Sequence, residues 1–239
     1  MRQVYGDGKV LLDQLREVAD LLAEGFDASG RSSKDLLNGL VQKVRWSGGD
    51  FVCLVADDGA DGSAMVGACD LTLLPAGGPK RSREGLVADV PAQLALDPDA
   101  DHFLYLTGMV VPGRMRRRGV GRALLAQSER LAAKMRPRPR CVALHVSKKN
   151  DAARGLYERA GYASVEDLAD GAGGGEGAAR DDSGLLASFP LAFPAGGLLG
   201  GMGKKPASRD EALMVKWLEE DEGASGGGAS EASEGDARE

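Results

Sequence analysis

The sequence is poor in the residues that most often build metal centres and covalent nucleophiles. It carries two histidines and three cysteines among 239 residues. Two histidines exclude a histidine-rich metal site, and no metal is expected. Cys53, Cys69 and Cys141 lie far apart, with neither zinc spacing nor a disulfide framework. Each falls in an apolar, strand-like run, which suits a small buried core residue in a reduced compartment. No apolar run approaches the ~20 residues that span a bilayer, so no membrane partner is expected. The opening "MRQVYGDG" has neither a secretory apolar core nor the Ser/Arg-rich pattern of a transit peptide, and secretion is not expected.

What is present supports a core, since 43% of residues are apolar. The net charge of −6 is unevenly placed. Residues 219–239 hold eight acidic residues against one arginine, so the preceding chain is near neutral. The acidity therefore describes a low-complexity tail, expected to be disordered, and not a binding surface.

Leu11, Leu15, Val18, Leu22 and Phe26 recur at helical spacing and predict an amphipathic helix over 9–26. Ser32 and Ser33 are candidate caps for a second helix that buries Leu37, Leu40, Val41 and Val44. "DFVCLVAD" and "SAMVGACDLTLL", separated by "DDGADG", predict a hairpin. Residues 76–101 are punctuated by Pro and Gly and predict a long loop. A strand over 102–111, a helix over 119–135, the strand "CVALHV", a helix over 150–160 stopped by Gly161, and a strand at "YASV" follow. Residues 167–210 are rich in Gly, Ala and Pro without a sustained period, and "EALMVKWL" predicts the last strand. The expectation is a single α/β domain over 1–218 with an insertion at 167–210, followed by the acidic tail.

The stretch "GMVVPGRMRRRGVGRALL" runs from a strand through a short loop into a helix that opens at Gly119-Val120-Gly121. A helix start leaves about four N–H groups unpaired at the positive end of the dipole, which suits a phosphate. Gly119 and Gly121 would let the backbone approach it, and Arg117, Arg118 and Arg122 add charge. The third glycine of a dinucleotide fingerprint and the lysine and hydroxyl of a P-loop are missing. A solvated arginine-rich loop, or a nucleic-acid contact, is the alternative. The near-neutral domain and the lack of aromatics beside the run speak against nucleic acid. Downstream, Asn150, Ala153 and Tyr157 share one helix face, two polar handles among alanines.

With both stretches in view, the sequence resembles the GNAT superfamily of N-acetyltransferases. Arg116, Gly119 and Gly121 fit that family's Arg/Gln-x-x-Gly-x-Gly/Ala motif. "NDAARGLYERAGY" fits its Asn-x-x-Ala-x-x-Leu-Tyr-x-x-x-Gly-Phe/Tyr motif, in the family's order and spacing. The pair spans about 60 residues and is far more specific than either half. The resemblance implies a mixed, mostly antiparallel α/β sheet, splayed at the cofactor site, with helices on both faces. It implies acetyl-CoA as co-substrate, its pyrophosphate on Arg116, Arg117, Arg118, Gly119, Val120, Gly121 and Arg122. Its pantetheine would lie along Met109, Val110 and Val111, with Gly108 suited to the bulge that opens the sheet. Asn150, Asp151 and Ala152 would touch the cofactor from the other side. Tyr157 would stand by the sulfur as general acid to the departing thiolate, or else be a buried aromatic joining helix to sheet.

An amine must lose a proton to attack a thioester, and the developing oxyanion needs a donor, here an N–H near Val110 or Val111. No enzyme nucleophile is required. Many family members that act on protein N-termini carry a glutamate where this chain has His145. An imidazole can be the base, or His145 can be a packing residue or acceptor wall, leaving a water chain to do the work. Within the superfamily the sequence looks most like plastid-type members of plants and algae, which act on protein N-termini and lysines. That implies protein or peptide amines as partners and a plastid stroma, or otherwise the cytoplasm. A small-amine acetyltransferase is the alternative, with "DPDADH" as a source of acidic pocket residues, and a non-catalytic CoA-binding module is a third. The insertion's "LLASFPLAFPAGGLL" would form a lid or peptide wall, or stay disordered. Oligomeric state is not encoded in any motif.

Overall fold

Apolar periodicity places most of the elements in the computed structural model, which describes residues 1–4, 8–25, 32–58, 64–77, 87, 89–172 and 210–219. Helix α1 (Gly8–Gly25) buries Leu15, Val18 and Leu22 as the spacing requires, together with Ala19 and Leu21. Phe26 lies outside the described residues. Helix α2 (Ser33–Ser47) begins with a reciprocal cap. The Asp35 N–H donates to Ser32 Oγ (3.2 Å), and Ser32 donates from Oγ (2.7 Å) and N (3.4 Å) to the Asp35 carboxylate. That is a capping box closed by Asp instead of Glu. The Ser33 hydroxyl instead bonds Asp20, tying α2 to α1.

Seven strands form one sheet, β1 (Arg2–Gln3), β2 (Phe51–Asp57), β3 (Met65–Pro75), β4 (His102–Val110), β5 (Cys141–Ser147), β6 (Ala163–Ser164) and β7 (Glu211–Trp217). Their order is β1-β2-β3-β4-β5-β7-β6, and every pair is antiparallel except β4 with β5. Helices cover both faces, as expected. On one face α4 (Val120–Ala132) and α5 (Asp151–Arg159) pack on Leu71, Leu104, Leu106, Val142 and Leu144. On the other, α1 and α2 cover Cys53, Val55 and Ala68, while a second cluster holds Phe103, Tyr105, Cys141, Ala143, Leu213 and Val215. All three cysteines are buried and free. Burial pushes their thiols up, Cys69 and Cys141 to about 12, so they are packing residues and not nucleophiles.

Three expectations need correcting. The stretch 76–101 is not all loop, because α3 (Val90–Gln93) forms within it around Pro91, and Val90, Leu94 and Leu96 enter the core. Punctuation by Pro concealed a helix that Pro favours in its first turn. The strand at "YASV" is only Ala163–Ser164, and α6 (Val165–Ala172) follows, carrying Val165 and Leu168 onto the second cluster. The first residues of the Gly/Ala-rich stretch are therefore helical. The short edge strand β1 was not anticipated, two residues being too few for a periodic signal. Most of the hairpin turn, the insertion beyond residue 172 and the tail beyond residue 219 lie outside the described residues.

Candidate active site

Strands β4 and β5 run side by side only at their beginnings. Phe103, Leu104 and Tyr105 pair with Cys141, Val142 and Ala143, and no pair joins them further on. The edge of β4 from Leu106 to Val110 therefore faces an opening in the sheet. The register with β3 slips within the same stretch, since Ala68 pairs with Val110 but Asp70 with Thr107. The extra residue belongs to β4, where Gly108 adopts φ +59°. A Cβ on Gly108 would fall 2.0 Å from Asp70 Oδ1. Both the left-handed backbone and the close carboxylate demand glycine, and the bulge turns β4 away from β5.

Helix α4 starts beside this opening. Its first intrahelical bond runs from Ala123 N–H to the Gly119 carbonyl at 2.9 Å. No side chain caps the N-terminus, so the N–H groups of Val120, Gly121 and Arg122 point outward without an intrahelical acceptor. Arg117 (φ +63°) and Gly119 (φ +83°) are both left-handed, and the loop that they form before α4 is exposed. Arg116, Arg117, Arg118 and Arg122 are exposed around it. Arg116 also donates from Nε to the Val111 carbonyl at 3.1 Å, so it braces the loop. The two glycines differ in purpose. A Cβ on Gly119 would meet open space, and its requirement is conformational. A Cβ on Gly121 would come 2.9 Å from Leu156 Cδ2 and 3.9 Å from Val111 Cγ2. Gly121 thus lets α4 approach α5 and the end of β4, a packing role that the expected phosphate role had obscured.

That contact brings the second motif to the first. Asn150 caps α5, with its Oδ1 accepting from the Ala153 N–H at 3.1 Å, so the expected ligand contact would fall to its amide nitrogen. Asp151 and Ala152 are exposed in the first turn. Tyr157 is buried on the inner face, its ring 6.0 Å from that of Tyr162. Burial, and then the nearby Cys69, push its hydroxyl up to about 12. A phenol in that state is protonated at neutral pH and can only give a proton.

The opposite face of the opening is polar where its two apolar clusters part. The Tyr105 hydroxyl lies 2.7 Å from His145 Nδ1. Burial first, and then Glu211, raise the Tyr105 pKa, so the phenol stays protonated and we assign it as donor to Nδ1. Burial lowers the His145 pKa below 6.5, which keeps the imidazole neutral. Its Nε2 is buried with no partner among the described residues. Alongside, Asp70 is buried in β3 and receives Lys43 Nζ and the Thr107 hydroxyl, while Lys43 also donates to Thr107 Oγ1 at 2.8 Å. The ammonium cancels the carboxylate, as a buried charge requires. Sequence reading missed Tyr105, Lys43, Asp70 and Thr107. An aspartate inside the apolar run "GACDLTLL" was the available signal, because a charge in a core strand needs a partner.

No curated protein matches the sequence. Solved structures similar to it include Arabidopsis thaliana NAA60 in complex with acetyl-CoA, at 19% identity over 87% of this chain and 93% of that one, with a TM-score of 0.48. The same protein in complex with a bisubstrate analogue matches at 20% identity over 64% and 78%, TM-score 0.45. A spermidine N-acetyltransferase SpeG chimera from Vibrio cholerae and hSSAT matches at 12% identity over 91% and 96%, TM-score 0.48. The profile of the Acetyltransferase (GNAT) family matches residues 15–162, well over half of the chain and including both motifs. The chain belongs to the GNAT family of acetyltransferases.

Proposed function

We propose that this acetyltransferase moves acetyl from acetyl-CoA to amines of proteins, N-terminal α-amines and lysine ε-amines, by direct attack in a ternary complex. One observation carries the reading. A single opening between β4 and β5 has an uncapped, arginine-flanked helix start on one side and a hydrogen-bonded Tyr105–His145 pair on the other. Acetyl-CoA supplies the acetyl thioester. The residues fit it: the exposed N–H groups of Val120 to Arg122, with Arg117, Arg118 and Arg122, would hold its pyrophosphate, and the unpaired edge of β4 at Met109, Val110 and Val111 would hold its amide-bearing arm. Tyr157, protonated at neutral pH, would give its proton to the leaving sulfur.

The acceptor would arrive on the opposite face. Its amine gives a proton to the Tyr105 oxygen as the Tyr105 proton passes to His145 Nδ1, so the phenol is unchanged and the imidazole is the net base. A protein amine fits this face better than a polyamine. A polycation needs several free carboxylates, and Asp70 is already neutralised by Lys43. The acidic run at Asp97, Asp99 and Asp101 lies before β4, at the end away from the opening, and Asp101 pairs with Arg140. Resemblance to plastid-type members favours the same acceptors and a stromal location. Incubation with acetyl-CoA, a mixed peptide library and spermidine, read by mass spectrometry, tests the assignment. Acetylated peptide α-amines or lysines are expected. Acetylated spermidine with untouched peptides would overturn it.

A further inference from the structure

Among the described residues, the acceptor face carries one carboxylate that no cation pairs with. Glu211 opens β7 and pairs with Ser147, while the next same-facing pair is Leu213 with His145. Residues opposite one another in an antiparallel pair share a face, so Glu211 and His145 are diagonal neighbours on the same face. Leu213 and Val215, next in the alternation, pack with Tyr105 and Ala143, which fixes that face as the acceptor side. Glu211 is half-buried at the open end of the sheet, just beyond His145.

The described cations of this side are already paired. Lys148 pairs with Glu166 at 2.7 Å, Lys149 with Asp210 at 3.3 Å, and Lys43 with Asp70. Among the described residues no cation pairs with Glu211. Its field still reaches Tyr105, whose phenol it helps to hold protonated. Beside it stands the buried, unpartnered Nε2 of His145. A lone carboxylate next to a neutral base and a phenol forms a receptor for one positive charge carried by a proton donor.

We propose that Glu211 is the acceptor-binding residue that selects a cationic primary amine, holding the ammonium form beside Tyr105 and His145 before its proton is removed. The inference rests on the function proposed above, but it concerns which residue receives the amine, not which molecule bears it. Glu211 does not touch the donor side, which lies on the α4 and α5 face, so its removal should spare acetyl-CoA affinity. It also confers preference: a single carboxylate rewards one charge, and neutral amines gain nothing from it.

Steady-state kinetics of Glu211→Gln, Glu211→Lys and Glu211→Asp, with whichever amine the wild-type protein acetylates, test this. Glu211→Gln should raise the acceptor KM about tenfold, the scale of one charge-assisted contact, with the acetyl-CoA KM nearly unchanged and a smaller change in kcat, because Glu211 also acts on Tyr105. Glu211→Lys should raise it further, and Glu211→Asp should restore most of the affinity. The wild-type acceptor KM should climb with salt, and that slope should flatten in Glu211→Gln. An unchanged acceptor KM in Glu211→Gln, or an equal rise in the acetyl-CoA KM, would overturn the assignment. If spermidine and not peptides is acetylated, the proposed function fails while the same variants, assayed with spermidine, still decide the role of Glu211. Should no amine turn over, calorimetry of an amidated dipeptide against the CoA-loaded protein reads the same contact, and equal affinity in wild type and Glu211→Gln would overturn it.

Discussion

A histidine accepts a proton only while neutral, and burial keeps His145 neutral to a lower pH than a solvated imidazole. If it is the base, kcat/KM for the acceptor falls as pH drops through its lowered pKa and is level from pH 6.5 up to the titration of the acceptor amine itself. His145→Asn should cost about 10²-fold or more in kcat/KM and remove that acid limb. A retained limb would assign it to another group. In the proposed function Tyr157 has the opposite task, since burial raises its pKa to about 12 and leaves it a donor throughout the neutral range. Tyr157→Phe should lower kcat about 10²-fold while the acetyl-CoA KM stays nearly constant. Unchanged turnover would reduce Tyr157 to the aromatic anchor that its contact with Tyr162 also makes it. Tyr157 was legible because its motif is contiguous along one helix. Tyr105 and His145 stand 40 residues apart, and Lys43 and Thr107 stand 64 apart. Only the register of β4 with β5, and the packing of α2 over β3 and β4, bring them together, and periodicity within one element says which face a residue takes but not what lies opposite.

Among the elements, the opening depends on one bulge and two helix starts. The bulge in β4 needs a left-handed residue without a Cβ, and Asp70 stands where that Cβ would go. Gly108→Ala should lose roughly 2 kcal/mol or more in chemical denaturation, from backbone strain and displacement of a buried ion pair. Stability unchanged in that variant would mean that the bulge relaxes freely and does not set the site. The two helix starts divide the work. Asn150 satisfies its own helix, whereas α4 leaves its N–H groups open between arginines. The glycines of that second start were read for their nearness to phosphate, and Gly121 turns out to serve Leu156. A spacing motif records that a side chain is absent without recording what occupies the space. The short helix at Val90–Gln93 escaped notice for a related reason, since one turn offers no period to detect.

For the molecule as a whole, the proposed function puts donor and acceptor on opposite faces of the sheet, and binding on one side should be visible as stability. Acetyl-CoA at a hundred times its Kd should stabilise the protein by about 2.7 kcal/mol, read as a rise in Tm. Replacing Arg118 and Arg122 together with alanine should shrink that rise, while the Tm without acetyl-CoA hardly moves, because both side chains are exposed. An undiminished rise would place the pyrophosphate elsewhere. The global fold was legible in large part: periodicity placed most helices and strands, and the resemblance carried by the two motifs implied helices on both faces, a mostly antiparallel sheet and an opening near Gly108. The acceptor face was not, because it is assembled from α2, β3, β4, β5 and β7, each contributing one or two residues. In the proposed function both substrates meet in that one opening, and acetyl passes directly between them. Initial rates measured against both acetyl-CoA and an acceptor peptide test it most directly. Double-reciprocal lines that intersect are predicted, whereas parallel lines with a mass-stable acetylated enzyme would contradict it.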